Sequence, residues 1–205
     1  MRLYYFSGAC SLAAHIVARE ASLAIDLVKV DLATHKTETG DDYFKINPRG
    51  YVPALQIDGE VHTEVAALVS YLAEQAPQSK LLPAAGTIER IRVNQWLAFV
   101  ASELHRTFSP WLFSAETAES TKKAAREKLA ARFAELDARF ATRPYLTGDT
   151  FTVADAYAFT ILNWSNFLKI DLEPYPNLSG FMARVAARPK VREALRAERL
   201  IAAAA

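Results

Sequence analysis

Leu3–Glu20, reading LYYFSGACSLAAHIVARE, is the stretch that decides the fold. Leu3-Tyr4-Tyr5-Phe6 is a short apolar run with strand character, and Ser7-Gly8 after it is a turn signal. Ser11 to Glu20 then reads as a helix, with Leu12, Ile16 and Arg19 near one face. Cys10, the single cysteine of the chain, falls where that helix begins. A thiol there sees unpaired backbone N–H groups and the positive end of the helix dipole, and both favour thiolate. Three residues on, where a dithiol motif would carry its second sulfur, stands Ala13, so any disulfide that Cys10 exchanges must come from outside the chain. The competing reading of a lone cysteine is a small buried hydrophobe.

Outward from this stretch, residues 1–77 alternate short strands and helices. Asp26–Leu32 alternates polar and apolar residues as a second strand, and 33–42 is polar loop. Tyr43-Phe44 begins a helical turn that Asn47-Pro48-Arg49-Gly50 ends. Val52–Ile57 and Glu60–His62 flank Asp58-Gly59, a hairpin signal. A helix follows from Thr63 to Pro77. The order β-α-β, loop, β-β-α predicts a small mixed sheet, its first pair parallel through a right-handed crossover and its last pair antiparallel. Residues 78–87 read as a linker, and 88–205 as an all-helical domain. Its segments are a long helix over 88–113, a charged amphipathic one over 121–141, a third from Thr152, and shorter ones after Pro176 and Pro189. Phe151-Thr152-Val153-Ala154-Asp155 carries an N-cap with an acid three residues on, a folding device rather than a chemical one.

Bulk properties exclude several classes. With 205 residues, 51% hydrophobic, and a formal charge of +1, the chain has enough material for proper cores and no basic surplus for nucleic acid. One cysteine rules out a disulfide scaffold and fits a reducing, cytoplasmic setting. The most apolar later stretch, 153–168, contains Asp155 and Asn163 and is too short and polar for a membrane span. His15, His35, His62 and His105 are scattered, so no metal site is expected. No Gly-x-Gly-x-x-Gly follows a strand, which removes a dinucleotide site.

Two further places carry chemistry. Pro53 enters a strand, which a cis Val52–Pro53 bond would accommodate, leaving the Val52 N–H and C=O free for an extended peptide ligand. Thr63-Glu64-Val65 opens a helix whose N–H groups suit a carboxylate while Glu64 suits an ammonium, the two charges of an α-amino acid head.

Together, Gly8-Ala9-Cys10-Ser11-Leu12, Asn47–Leu55, Thr63-Glu64, Glu103-Leu104-His105 and Phe151–Tyr157 resemble the bacterial beta class of glutathione transferases over essentially the whole chain. The resemblance implies a thioredoxin-like α+β N-terminal domain, an all-helical C-terminal domain and a cytoplasmic homodimer. It also implies glutathione as cosubstrate, with no permanently bound cofactor. Catalysis would involve Cys10, Ser11 and His105, with Cys10 facing the glutathione sulfur. The glutathione site would comprise Ala9, Cys10, His35, Lys36, Tyr51, Val52, Pro53, Glu64, Val65 and His105. Val52 would pair with the cysteinyl part, and Glu64 with the γ-glutamyl ammonium beside the Val65 N–H. An apolar electrophile pocket between the domains would draw on Phe108, Trp111, Tyr157, Trp164 and Leu168.

Three positions depart from the pattern of relatives: Val65 stands where many carry Ser or Gly, His35 where Lys is frequent (Lys36 is adjacent), and Ala98 near a position from which some offer an Asn across the dimer. The expected reaction is activation of the glutathione thiol for attack on hydrophobic electrophiles. The alternatives are glutathione-dependent disulfide reduction or peroxidase chemistry through Cys10, and a noncatalytic binding module on the same fold.

Overall fold

The computed structural model describes residues 1–202; residues 203–205, the end of the expected helical domain, lie outside the described residues. The described residues form two compact units, 1–82 with 188–202, and 83–187.

In the first unit, β1 (Arg2–Tyr5), α1 (Ser11–Glu20), β2 (Asp26–Asp31), β3 (Lys36–Thr37), β4 (Ala54–Ile57), β5 (Glu60–His62) and α2 (Val65–Glu74) follow in order. The sheet runs β3-β2-β1-β4-β5. β1 is parallel to β2, with Leu3 opposite Leu27, because α1 carries the chain back to the starting edge; it is antiparallel to β4, with Leu3 opposite Leu55. The β4–β5 turn holds Asp58 at φ 49° and Gly59 at φ 90°, the left-handed pair that a tight hairpin needs. Every residue of α1 from Ser11 to Ala18 is buried, and Leu3, Leu12, Ile16, Leu55, Leu68 and Leu72 form the centre of the core. β3 lies inside the stretch expected to be loop. It is two residues long, paired with Val30 and Asp31, and too short to show alternation.

The C-terminal end departs from the expected division at 88–205. α9 (Pro189–Ala197) buries Val191, Ala194 and Leu195 and packs on α1. Arg188 grips Glu20 as a fork, Nε and Nη2 donating to the two carboxylate oxygens at 2.7 Å each. The sequence shows α9 as amphipathic but carries no local mark of which core its apolar face joins.

The second unit is helical: α3 (Ile88–Phe99), a π-helical turn over Val100–His105, α4 (Arg106–Phe108), α5 (Glu119–Phe140), α6 (Val153–Leu162), α7 (Trp164–Phe167) and α8 (Pro176–Ala186). The helix expected to run to Phe113 stops at Phe108. Pro110 lacks an N–H and drives Ser109 to an extended ψ of 132°, through a cis Ser109–Pro110 bond. α6 is buried along its whole length, which explains its lack of a polar face. α5 turns Leu129, Phe133, Leu136 and Phe140 inward, with Phe140 stacked on Phe181 at 4.1 Å. Among the described residues no helix is long and apolar enough to cross a membrane.

Candidate active site

Cys10 is the N-cap of α1, and its side chain caps nothing. Ala9 N–H bonds back to Phe6 C=O, Leu12 N–H to Ala9 C=O and Ala13 N–H to Cys10 C=O. The Cys10 and Ser11 amides are thus the donors that no main-chain carbonyl takes at this helix start, whereas Ala9 N–H is spent within the turn. The thiol donates to Val52 C=O at 3.1 Å. Burial pushes the Cys10 pKa up to about 12; the Cys10 and Ser11 amides pull it down and the charge of Glu64 adds to the rise. Desolvation thus works against the two amide donors and pushes Cys10 toward the protonated thiol, opposite to what the helix start alone favours.

The Ser11 hydroxyl is engaged with the main chain. It is fully buried, accepts from Phe6 N–H at 3.3 Å and donates to Phe6 C=O at 3.2 Å, closing the β1–α1 turn. The hydroxyl is spent within the turn, and the Ser11 backbone N–H is the group that no main-chain carbonyl takes.

The Val52–Pro53 bond is cis. Tyr51 is 73% exposed, and its carbonyl accepts from Tyr43 Oη at 2.8 Å and Asn47 Nδ2 at 2.7 Å. These two contacts aim the Tyr51–Val52 backbone. Val52 N–H makes no hydrogen bond among the described residues. Ala9 packs with Tyr4, Val30, Tyr43, Val52 and Ala54 under this segment. His35, at φ 51°, lies on the Phe44 ring at 4.2 Å and against Gly50, where an added Cβ would meet both rings at 2.8 Å. His35 Nδ1 is buried without a hydrogen bond. Lys36 sits on the exposed edge strand β3.

Glu64 begins α2 at φ 71°, ψ 112°, a strained setting for a residue with a side chain. Its carboxylate is 74% exposed and meets Arg49 at 3.2 Å. An exposed pair of this kind holds loosely and leaves the carboxylate available to a better partner. The Val65 side chain is buried, and its N–H is one of the unpaired donors at this second helix start.

The sequence reading passed over His15 and Glu198, which hold the turn from below. Buried Glu198 accepts from Gly8 N–H at 2.9 Å, meets His15 Nδ1 at 2.9 Å, and takes the Ser7 hydroxyl on its carbonyl. Arg19 Nε closes the chain of contacts on His15 Nε2 at 3.2 Å. A buried glutamate at the far end of the chain has no local signal; a histidine among the apolar residues of α1, between Ala14 and Ile16, was the available hint.

In the second unit, His105 ends the π-helical turn. Its Nδ1 lies 2.6 Å from Tyr157 Oη, and its ring meets Trp164 edge-on at 5.0 Å. Burial and the neighbouring Arg106 charge bring its pKa down to about 4, so the imidazole is neutral. Trp164 also meets Phe108 at 5.9 Å and Phe113 at 5.2 Å. Phe108 is fully buried against Phe133 and is core rather than pocket wall. Trp111 faces elsewhere: with Pro110, Ser114, Thr117 and Thr121 it lines an open cleft of about 310 Å³. Leu168, half-buried, caps α7. Phe113 is 48% exposed and packs edge-on against Trp164. Ala98 is exposed on α3. Among the described residues no three His, Cys, Asp or Glu side chains converge as a metal site.

Comparison with known proteins adds the following. Residues 8–75 match the family model of the glutathione S-transferase N-terminal domain, and residues 95–189 that of the C-terminal domain. The chain is 42% identical to a glutathione S-transferase of Escherichia coli over 98% of this chain and 100% of that one. Among solved structures it is 48% identical to BphK, a bacterial transferase in a ternary complex, at a TM-score of 0.94, covering 97% of this chain and 100% of that one. It is 44% identical to a sphingomonad glutathione S-transferase complexed with glutathione, at a TM-score of 0.93 and covering 98% and 100%. A beta-class transferase of Sphingomonas chungbukensis matches at 44% identity and a TM-score of 0.94, covering 98% and 100%.

Proposed function

We propose that this chain, which belongs to the glutathione S-transferase family, binds glutathione on its first unit and activates the thiol for conjugation to hydrophobic electrophiles. The observation that carries the reading is the grouping of three backbone features around Cys10: the helix-start amides that no main-chain carbonyl takes, the open Val52 N–H, and the α2 start beside Glu64. Each answers one part of the tripeptide. The γ-glutamyl ammonium meets Glu64, displacing Arg49, while its carboxylate meets the Val65 amide. The cysteinyl backbone pairs with Val52 as an added extended strand does. The sulfur comes to the Cys10 and Ser11 amides, which stabilise a thiolate through preorganised donors. His35 and Lys36 lie beside the Tyr51 turn and take the remaining end of the ligand, and Val65 serves through its backbone alone. His105 and the aromatic cluster about Trp164, with Phe113, take up the electrophile.

Cys10 supports conjugation over disulfide exchange. Exchange needs a thiolate, and this thiol is held protonated against the Val52 carbonyl. A cytoplasmic homodimer fits the single free cysteine and the exposed Ile88 and Ile91 on α3; light scattering on the purified protein reads the assembly. The test of function is calorimetric titration with glutathione, followed by turnover of a chlorodinitrobenzene. Saturable binding with conjugate formation is expected, and absence of binding removes the reading.

A further inference from the structure

His105 and Tyr157 form a polar contact among the aromatic groups of the second unit, and its chemistry fixes where the imidazole proton sits. The two rings cross at 90° with centroids 5.8 Å apart, and Trp164 closes on the imidazole at 74°. Tyr157 is 2% exposed and lies on α6, buried along its length, so the hydroxyl cannot swing away. The imidazole is held between two rings and a rigid turn.

The Oη–Nδ1 distance is 2.6 Å. In a neutral pair the phenol is the stronger acid and the imidazole lone pair the stronger base, so at this contact the phenol donates into Nδ1. A neutral imidazole carries one proton, and with the Nδ1 lone pair engaged that proton is on Nε2. Glu103, two residues back, is committed to Arg132 and Lys128 and does not compete for the ring.

We propose that Tyr157 is a positioning residue that locks His105 as its Nε2–H tautomer, so that His105 meets substrate as a hydrogen-bond donor and not as a base. The role deepens the transferase reading and rests on it for its kinetic part. A fixed N–H donor serves a substrate atom that gains negative charge during attack, and takes no proton from glutathione. Ionisation of the thiol then falls to the helix-start amides in the first unit.

The tautomer is read without substrate by long-range proton–nitrogen correlation on the full-length protein labelled with ¹⁵N. The expected spectrum has His105 Nδ1 as the unprotonated nitrogen and Nε2 as the protonated one. In Tyr157→Phe, which keeps the ring, the two nitrogens shift toward an averaged, mixed tautomer. Conjugation kcat then falls about tenfold, with the KM for glutathione within about twofold. A proton on Nδ1 in the unaltered protein, or an unchanged Nε2–H signal in Tyr157→Phe, overturns the proposal. If kcat is unchanged while the tautomer mixes, the catalytic part is overturned. An unaltered protein with the expected tautomer and no transferase activity sinks the functional reading while leaving the tautomer lock standing.

Discussion

Two helices in this chain begin in opposite ways. α6 starts fully satisfied: Thr152 N–H and its hydroxyl reach the Asp155 carboxylate at 2.8 and 2.9 Å, Leu146 N–H takes the other oxygen at 2.8 Å, and all three residues are buried. α1 starts with a cysteine that caps nothing, two amides that no main-chain carbonyl takes, and a thiol turned to a carbonyl across the fold. Orphan amides are a cost of every helix start. Where a side chain meets them the start serves folding. Where none does, and the surroundings are held rigid, they are left for a ligand. α2 repeats the open arrangement, with Glu64 in a strained conformation and its carboxylate outward.

The contrast makes graded predictions. Asp155→Ala strips the capped start of three contacts and leaves buried donors unmet, so unfolding in urea should show a loss of about 3 kcal/mol. A loss under 1 kcal/mol would mean that the cap is redundant and the contrast misdrawn. Glu64→Ala should behave in reverse. The melting temperature holds within a degree or two, while glutathione affinity in calorimetry falls by about 2 kcal/mol, the order of a charged hydrogen bond. Equal affinity would deny the open start at α2 its ligand. Gly50→Ala acts between these extremes. Its φ of 69° and the 2.8 Å approach to His35 and Phe44 should lower stability by about 1–2 kcal/mol and weaken glutathione binding with it, because the same turn presents Val52.

The smallest effect belongs to Cys10→Ala: conjugation kcat should stay within about threefold, since the amides and not the sulfur do the work. The pH behaviour separates the two proteins. The native Cys10 pKa, about 12, stands above its value of 9.0 in an unperturbed chain, so the native state keeps a proton that the unfolded state releases. That stability is complete below pH 9 and declines as the pH rises toward 12. Urea midpoints taken from pH 8 upward should fall more steeply with Cys10 present than in the alanine variant. Iodoacetamide labelling of Cys10 that is already fast at pH 7 would contradict the protonated thiol.

Much of this was legible in the residues. The strand–turn–helix at Leu3–Glu20, the Asp58-Gly59 hairpin, the cis entry at Pro53 and the Thr152–Asp155 box are local codes, each set by a turn angle, a missing N–H or a side chain within four residues. What escaped was of two kinds. Features too short to show a period, such as β3 and the π-helical turn at Val100–His105, leave no pattern. Long-range partners leave none either: Glu198 beneath Gly8, Arg188 on Glu20, and Tyr157 on His105 are 190, 168 and 52 residues apart.

The sequence by itself determined which elements form, in what order, and which positions bring chemistry to the first unit, because those follow from dihedral limits and hydrophobic period along a short run of chain. The state of that chemistry was decided by the tertiary structure alone. Whether Cys10 is thiolate or thiol, whether the Ser11 hydroxyl is free, and which histidine nitrogen bears the proton depend on desolvation and on partners distant in the chain. Both are properties of the packed interior and have no counterpart in local sequence.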